Sequence, residues 1–280
     1  MDVYKTEQLS RLALQTWTIR RELRSNAENV HGRVHKLGVQ HLELGGTDRS
    51  PPSAFSKMCA RHGFEVIGLH EPSLVSDSLD LLLDEVRSRC EVFGAKLVVT
   101  WFGHDKRSSY DTYSRYADLC VKAGRALKQD GVALCYHCYD FDLKPLGKNC
   151  EDKSGVDVLF EKTADEDLLF ELDTFFLYKA QCSLEAALAK YGRRCRLVHV
   201  DDIDERGLHA PLGAGLTPWA EVIKLIRTTC SVEWFILEHE SHAALKWIAQ
   251  SIHYWEGVIV PIIKELTRNG EGRDGEILSQ

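Results

Sequence analysis

The chain has 280 residues, of which 44% are hydrophobic, a proportion ordinary for a soluble globular protein with a sizeable core. Its formal net charge of -7 argues against a nucleic-acid partner, because phosphates require a basic surface. No apolar run approaches the ~20 residues of a membrane helix, and the amino terminus lacks the apolar segment of a secretory signal. Nine cysteines without a disulfide-scaffold spacing are typical of reduced thiols, so we expect a cytoplasmic protein without membrane association.

A unit of helix, glycine and strand recurs along the chain. Five glycines end stretches of helical periodicity just before apolar or β-branched runs: Gly38, Gly63, Gly94, Gly131 and Gly192. Glycine takes the left-handed conformation without a steric penalty, so we expect each of them to stop a helix where the chain turns into a strand. The eight predicted strands cover residues 12–17, 39–44, 64–70, 95–101, 132–137, 168–173, 195–199 and 233–238.

Strands that alternate with helical segments predict a parallel sheet with crossover helices. An open, doubly wound sheet is the alternative, but it usually carries a glycine-rich phosphate loop, and neither a G-x-G-x-x-G nor a Walker motif occurs. We therefore predict an α/β protein with a single (β/α)8 TIM barrel domain over residues 1–268. Residues 269–280 have the composition of a flexible carboxy-terminal tail.

The carboxyl ends of the strands share one rim of such a barrel, where TIM-barrel active sites lie. The last four predicted strands end in residue types that can bind a metal: His137, Asp173, His199 and Glu238. Two imidazoles and two carboxylates suit one divalent transition metal, because with neutral histidines their charge is -2. The set favours Mn²⁺ first, then Zn²⁺, Co²⁺ or Fe²⁺, over Mg²⁺. Singly, each residue could be structural; Asp173, for example, could cap the next helix.

Other residues near this rim are candidate substrate contacts: Gln15, Trp17, Glu43, His70, Trp101 and Arg206. The two tryptophans could form apolar walls for a sugar ring, and core packing is an equally good role for them. Gln15, Glu43 and His70 could hydrogen-bond hydroxyl groups. Arg206 lies in a connection, residues 203–217, that is long for this fold, and long loops on the catalytic face tend to be functional.

The same segments resemble the sugar phosphate isomerase/epimerase superfamily, the xylose isomerase-like barrels, which include inosose dehydratases and ketose 3-epimerases. Residues 14–20, LQTWTIR, resemble the opening strand LQLYTVR of that group. Residues 136–143, YHCYDFDL, are similar to its motif YHNHxFEF. The segments HLEL, GLH, FELD, LVHVDD and ILE match other strands in the family's order.

The resemblance implies metal ligands at His137, Asp173, His199 and Glu238. In the ketose epimerases, glutamates on the fifth and eighth strands both bind metal and exchange the substrate's α-proton. Here Glu238 matches one of them, while His137 stands in place of the other. Three further positions depart from the family pattern: Tyr139 replaces a histidine, Asp201 replaces a frequent lysine, and Phe176 stands where the epimerases tend to have a histidine.

We expect a metal-dependent isomerase or epimerase that acts on a sugar or keto-sugar by proton abstraction next to a carbonyl, through a metal-stabilised enediolate. Glu238 is the candidate base, and His137 is a candidate ligand or acid/base group. A metal-dependent lyase or dehydratase for a keto-sugar, cyclitol or glycoside is the alternative. A non-catalytic sugar-binding barrel is a further alternative, whereas a DNA-repair endonuclease would need more ligands and a basic face. The apolar last helix also leaves a homo-oligomer open.

Overall fold

The computed structural model describes residues 10–45, 51–71, 74, 78–102, 109–147 and 153–269. Eight parallel strands close into a barrel: β1 (Leu12–Gln15), β2 (His41–Leu44), β3 (Glu65–His70), β4 (Leu97–Thr100), β5 (Ala133–His137), β6 (Leu169–Asp173), β7 (Cys195–His199) and β10 (Trp234–Leu237). The strands β8 (Asp202–Ile203) and β9 (His209–Ala210) form a separate antiparallel ribbon. All eight predicted strands occur, within a few residues of their predicted ends. The tail predicted from residue 269 lies, from residue 270 onward, outside the described residues.

The barrel strands follow one another in chain order, and the ring closes where β1 pairs with β10. The connecting helices are α1 (Arg20–Lys36), α2 (Pro52–His62), α3 (Leu79–Phe93), α4 (Tyr110–Lys128), α5 (Gly155–Lys162), α6 (Thr174–Lys179), α7 (Leu184–Tyr191), α8 (Trp219–Thr229), α9 (Ala244–Tyr254) and α10 (Val260–Asn269). This architecture confirms the predicted single-domain (β/α)8 barrel. None of the described helices combines the length and the apolar character that a membrane crossing requires.

Four of the five glycines predicted to stop helices have the expected left-handed backbone. Their φ angles lie between 68° and 96° at Gly38, Gly63, Gly94 and Gly131. Gly192 also ends its helix, α7, but the expected left-handed conformation is wrong there, because its φ is a right-handed -56°. A Cβ atom there would lie 2.5 Å from the carbonyl oxygen of Leu188, so close packing requires glycine at this position.

Side chains of the barrel strands alternate between the interior and the surrounding helices. The interior holds a small apolar cluster: Ala13, Ile67, Leu97, Val99, Cys135, Leu169, Leu197, Trp234 and Ile236. Since the side-chain period of a strand is two residues, positions two or four further along also face inward. These positions include Gln15, His137, Glu171, Asp173, His199 and Glu238. The barrel is therefore apolar in its lower part and strongly polar toward its carboxyl rim.

One buried carboxylate organises the long connection after β7. Asp202 is 1% exposed and accepts five hydrogen bonds of 2.9–3.1 Å from this connection and from α8. The donors are the backbone N–H groups of Ile203, Gly213, Gly215 and Thr217 and the indole N–H of Trp219. An ionised carboxylate has about four acceptor sites, so this arrangement uses its full capacity. The connection is thus pinned to the barrel, and β9 brings His209 to the carboxyl rim.

Close packing of α4 on the barrel gives a stability test. A Cβ atom on Gly124 would lie 1.9 Å from the carbonyl oxygen of Asp167. Alanine normally stabilises a helix by about 1 kcal/mol over glycine, but here we expect Gly124→Ala to lower the free energy of unfolding by about 1–3 kcal/mol through overpacking. Urea unfolding measures the difference. Gly32→Ala in α1 is the matched control, because its Cβ would meet only the His62 ring at 3.4 Å. Equal effects in the two variants would contradict the packing argument.

Candidate metal centre

The four residues predicted as ligands converge at the carboxyl rim of the barrel. His137, Asp173 and His199 end the neighbouring strands β5, β6 and β7, and Glu238 follows β10 directly. One donor atom of each residue lies within 4.8 Å of the donor atoms of the other three. Nε2 of His137 is 3.3 Å from Oδ2 of Asp173, and Nδ1 of His199 is 2.9 Å from Oε2 of Glu238. The structure therefore brings the whole predicted set together.

Three of the four residues have donor atoms that are buried without aligned hydrogen bonds. Within the described residues, no aligned hydrogen bond is made to either ring nitrogen of His137, to Oδ2 of Asp173 or to Nδ1 of His199. A buried polar atom left in this state costs about 1–3 kcal/mol, so a ligand that satisfies several of them at once is favoured. Separations of 2.9–3.3 Å also suit neighbouring ligands of an ion with bonds of ~2.0–2.2 Å. These residues fit a divalent transition metal.

Asp173 has the helix-capping role considered for it and also faces the candidate centre. Its Oδ1 accepts the backbone N–H of Phe176 at 2.9 Å and caps the amino terminus of α6. Its Oδ2 faces His137 and lies 3.7 Å from Nδ1 of His199. Because the cap fixes one oxygen, it directs the other oxygen into the centre.

A second polar group lies one layer deeper in the barrel and consists of Glu43, His70, Glu171 and His199. Nε2 of His70 is 2.9 Å from Oε2 of Glu43 and 3.2 Å from Oε2 of Glu171. His199 takes part through Nε2, so its two ring nitrogens face different groups. Our sequence reasoning missed Glu171. Its position two residues before Asp173, on the same inward face of a buried strand, was the signal that could have found it.

A cavity of about 290 Å³ opens over the ligand set. Its lining residues are Gln15, Trp17, Gly45, His70, Trp101, His137, Tyr139, Asp173, Phe176, Asp201, His209, Glu238 and Glu240. The volume is at the lower end of the ~300–1,000 Å³ of small-molecule sites, so it suits a small ligand. Four predicted substrate contacts, Gln15, Trp17, His70 and Trp101, line it.

Two other predicted contacts lie elsewhere. Glu43 is fully buried beneath the cavity and does not line it among the described residues. Arg206 is also outside the described lining, and its guanidinium pairs with Asp204 of its own loop at 2.8 Å. Local charge pairing holds Arg206 in solvent, where its side chain is 77% exposed.

Aromatic and imidazole rings form much of the cavity wall. Trp101 packs against His70 with 5.3 Å between ring centroids, and Tyr139 packs against Phe176 at 4.6 Å. Tyr139 and Phe176, two of the positions that depart from the family pattern in the sequence, thus give this part of the wall an aromatic surface. His209, which our sequence reasoning did not assign, stacks on Phe175 at 3.8 Å.

Burial and neighbouring charges shift the pKa values of two carboxyl groups in the centre, those of Glu238 and Asp201. Burial alone would raise the pKa of Glu238, but His199 and His137 outweigh it and lower that pKa to about 2. Glu238 is therefore ionised at neutral pH. Burial, together with the charges of Asp173 and Glu238, raises the pKa of Asp201 well above its usual range. The site thus combines an ionised carboxylate with one that favours its protonated form.

The family model for the xylose isomerase-like TIM barrel matches residues 32–257. The chain belongs to this family, and the resemblance read from its strand motifs is confirmed. Comparison with curated protein sequences finds no significant match.

Several solved structures share the fold at low sequence identity. A sugar phosphate isomerase/epimerase from Parabacteroides distasonis has a TM-score of 0.76 and 18% identity, over 91% of this chain and 96% of that chain. The probable 3-DHS dehydratase AsbF from Bacillus anthracis has a TM-score of 0.69 and 13% identity, over 88% and 98%. The IolI protein, solved with a bound zinc atom, has a TM-score of 0.67 and 12% identity, over 91% and 98%. At these identities the similarity establishes the common fold.

A buried histidine next to the centre gives a pH test of stability. His239 is 1% exposed, neither of its ring nitrogens has an aligned hydrogen bond within the described residues, and burial lowers its pKa to about 4. An unfolded histidine titrates near ~6.5, so between pH 6.5 and 4 the unfolded state binds a proton that the folded state does not. We expect this residue to cost about 2–3 kcal/mol of stability at pH 4.5 relative to pH 7.5.

Urea unfolding of the metal-free protein at both pH values measures this effect, with His239→Leu as the comparison. The variant should lose less stability on acidification than the wild type. An identical pH dependence of the two proteins would show that His239 is not held in its neutral form.

Proposed function

We propose that the chain is a divalent-metal-dependent enzyme that moves a proton next to a carbonyl of a sugar or keto-sugar. The observation that carries the proposal is the set of four donor residues, three of them buried and Glu238 partly exposed, on the floor of a small cavity. Their donor atoms lie within 4.8 Å of one another, and several of them lack aligned hydrogen bonds within the described chain. Such a convergence of unsatisfied donors in a concave site is what a metal-dependent active site requires.

The ion would be held by His137, Asp173, His199 and Glu238. Two nitrogen and two carboxylate donors favour Mn²⁺, with Zn²⁺, Co²⁺ and Fe²⁺ as alternatives. The zinc atom of the IolI structure supports a metal in a barrel of this kind. When bound, the ion supplies Lewis acidity, which polarises a carbonyl oxygen.

Proton transfer would then depend on two carboxylates with different ionisation. Glu238 is ionised and, at 16% exposure, is the most accessible of the four ligand residues, so it is the candidate base. Asp201 also lines the cavity and favours its protonated form, so it is the candidate acid. Carboxylates whose environments push their pKa values apart are typical of acid/base pairs. His137 offers two ring nitrogens without aligned hydrogen bonds and is a ligand or a second acid/base group.

Elimination is the second candidate reaction, because the cavity has one ionised base and one protonated acid. In a dehydratase or lyase, the base removes the α-proton and the acid protonates the departing β-oxygen. An epimerase that works from two opposite faces needs a second base, and His137 stands where the second glutamate of such enzymes would be. The probable dehydratase among the structural neighbours supports this candidate.

Metal binding can be measured directly. We expect the chelator-treated protein to bind one equivalent of Mn²⁺ or Zn²⁺ in isothermal titration calorimetry. Asp173→Asn should weaken binding by more than about 100-fold, beyond the 10–100-fold typical of residues that only support a ligand. Glu240→Gln is the control, because Glu240 lines the cavity but is outside the ligand set, and its affinity should equal that of the wild type. A wild type that binds neither ion would rule out the proposal.

The reaction can be followed in D₂O with a panel of keto-sugars. We expect the metal-loaded enzyme to exchange an α-proton for deuterium, detected by NMR, and Glu238→Gln at saturating metal to slow exchange by about 10²–10⁴-fold. Retention of every hydroxyl group in the product would identify isomerisation, whereas loss of a β-substituent would identify elimination. Metal and sugar binding without either change would support a non-catalytic sugar-binding barrel.

A further inference from the structure

We propose that Glu43 is a positioning residue for the metal centre: it accepts the Nε2 proton of His199 and so leaves Nδ1 of that ring to bind the ion. The inference rests on the metal site of the proposed function but not on the reaction. It gives Glu43 a role different from the hydroxyl contact expected from the sequence, because Glu43 is fully buried and does not line the cavity among the described residues.

The two nitrogens of His199 lie in different surroundings. Nδ1 is 2.9 Å from Oε2 of Glu238 and 3.7 Å from Oδ2 of Asp173, so it faces the ligand set. Nε2 is 3.0 Å from Oε2 of Glu43, in hydrogen-bond geometry. A neutral imidazole has one N–H donor and one lone pair, and an ionised carboxylate can only accept. Of the two contacts among the described residues, only the one to Glu43 has hydrogen-bond alignment, so in a ring that binds an ion the proton stays on Nε2 and the lone pair is on Nδ1.

Glu43 is itself held in place by an oriented amide. The Nε2 group of Gln15 donates to Oε2 of Glu43 at 2.6 Å, and the backbone N–H of Trp17 donates to Oε1 of Gln15 at 3.2 Å. The backbone donor fixes which end of the amide faces Glu43. Gly45 leaves room for this arrangement, since a Cβ atom there would lie 2.4 Å from Oε1 of Gln15. A chain of hydrogen bonds thus runs from the main chain of the first strand's end to His199.

The other two residues of the deeper polar group, Glu171 and His70, lie next to the contact between Glu43 and His199. Oε1 of Glu171 is 3.4 Å from Nε2 of His199, on the β6 side of the ring. Nε2 of His70 touches both carboxylates, at 2.9 Å from Glu43 and 3.2 Å from Glu171. Glu43 and Glu171 are fully buried, so neither can rotate into water. Supporting groups of this kind fix the tautomer and orientation of ligating histidines, and their loss typically costs 10–100-fold in metal affinity.

The test uses Zn²⁺, which is diamagnetic, on the full chain labelled with ¹⁵N at histidine. In the wild type we expect a slowly exchanging proton on Nε2 of His199, with Nδ1 bound to zinc. Glu43→Leu should remove that protected proton and weaken Zn²⁺ binding by about 10–100-fold. Glu43→Gln keeps an acceptor oxygen at the same place, so it should restore the protected proton and most of the affinity.

A matched control separates positioning from general loss of stability. Asp202 is buried to the same degree as Glu43, but it accepts hydrogen bonds from the β8–β9 connection and not from His199. Asp202→Asn should therefore destabilise the fold in urea and leave both the His199 proton signal and the Zn²⁺ affinity unchanged. A parallel loss in Asp202→Asn would show that Glu43→Leu acts through stability alone and would overturn the inference.

Three other results would overturn it. The zinc-loaded wild type could carry the His199 proton on Nδ1, or Glu43→Leu could bind Zn²⁺ as tightly as the wild type. The wild type could also bind two zinc ions, the second at Glu43, His70 and Glu171, which would make this layer a metal site. A wild type that binds no zinc would contradict the proposed function as well as this inference. Zinc binding with the expected proton signal but without turnover would contradict only the proposed reaction and would leave the role of Glu43 supported.

Discussion

The closed parallel barrel directs every second side chain of eight strands into one narrow interior. In the lower barrel these positions are apolar, but toward the carboxyl rim the same rows carry imidazoles and carboxylates. Charged groups placed there cannot reach water, and an isolated buried charge is very costly. Each of them must therefore be paired with another group in the same interior, and this requirement shapes both polar layers.

His199 joins the two layers, because each of its ring nitrogens faces one of them. The deep layer supplies carboxylates that accept a proton, whereas the upper layer presents donor atoms toward the cavity. Asp173 has a comparable double attachment, with one oxygen on the amino terminus of α6 and the other in the centre. Both residues are thus oriented by hydrogen bonds from outside the ligand set. A rigid arrangement of this kind lowers the cost of gathering ligands around an ion.

The mouth of the barrel is formed by a long connection and by aromatic side chains. Asp202 pins the β8–β9 connection, and that connection places His209 against Phe175 at the rim. Tyr139 and Phe176 add aromatic surface to the same mouth. The predicted ligand residues thus lie together in the barrel interior, whereas aromatic and imidazole rings form much of the wall above them.

The barrel and its rim could be predicted from local patterns along the chain. Glycines such as Gly63 and Gly94 mark helix ends, apolar runs mark strands, and the ends of parallel strands must meet at one rim, so His137, Asp173, His199 and Glu238 could be predicted together. The positions and partners of Gln15, Glu43, Glu171 and Arg206 could not be predicted in this way. The Glu43–His199 contact joins residues 156 positions apart, and the Gln15–Glu43 contact joins residues 28 apart. Depth within the barrel and the direction of each polar atom depend on such distant partners, which no local pattern in the chain records.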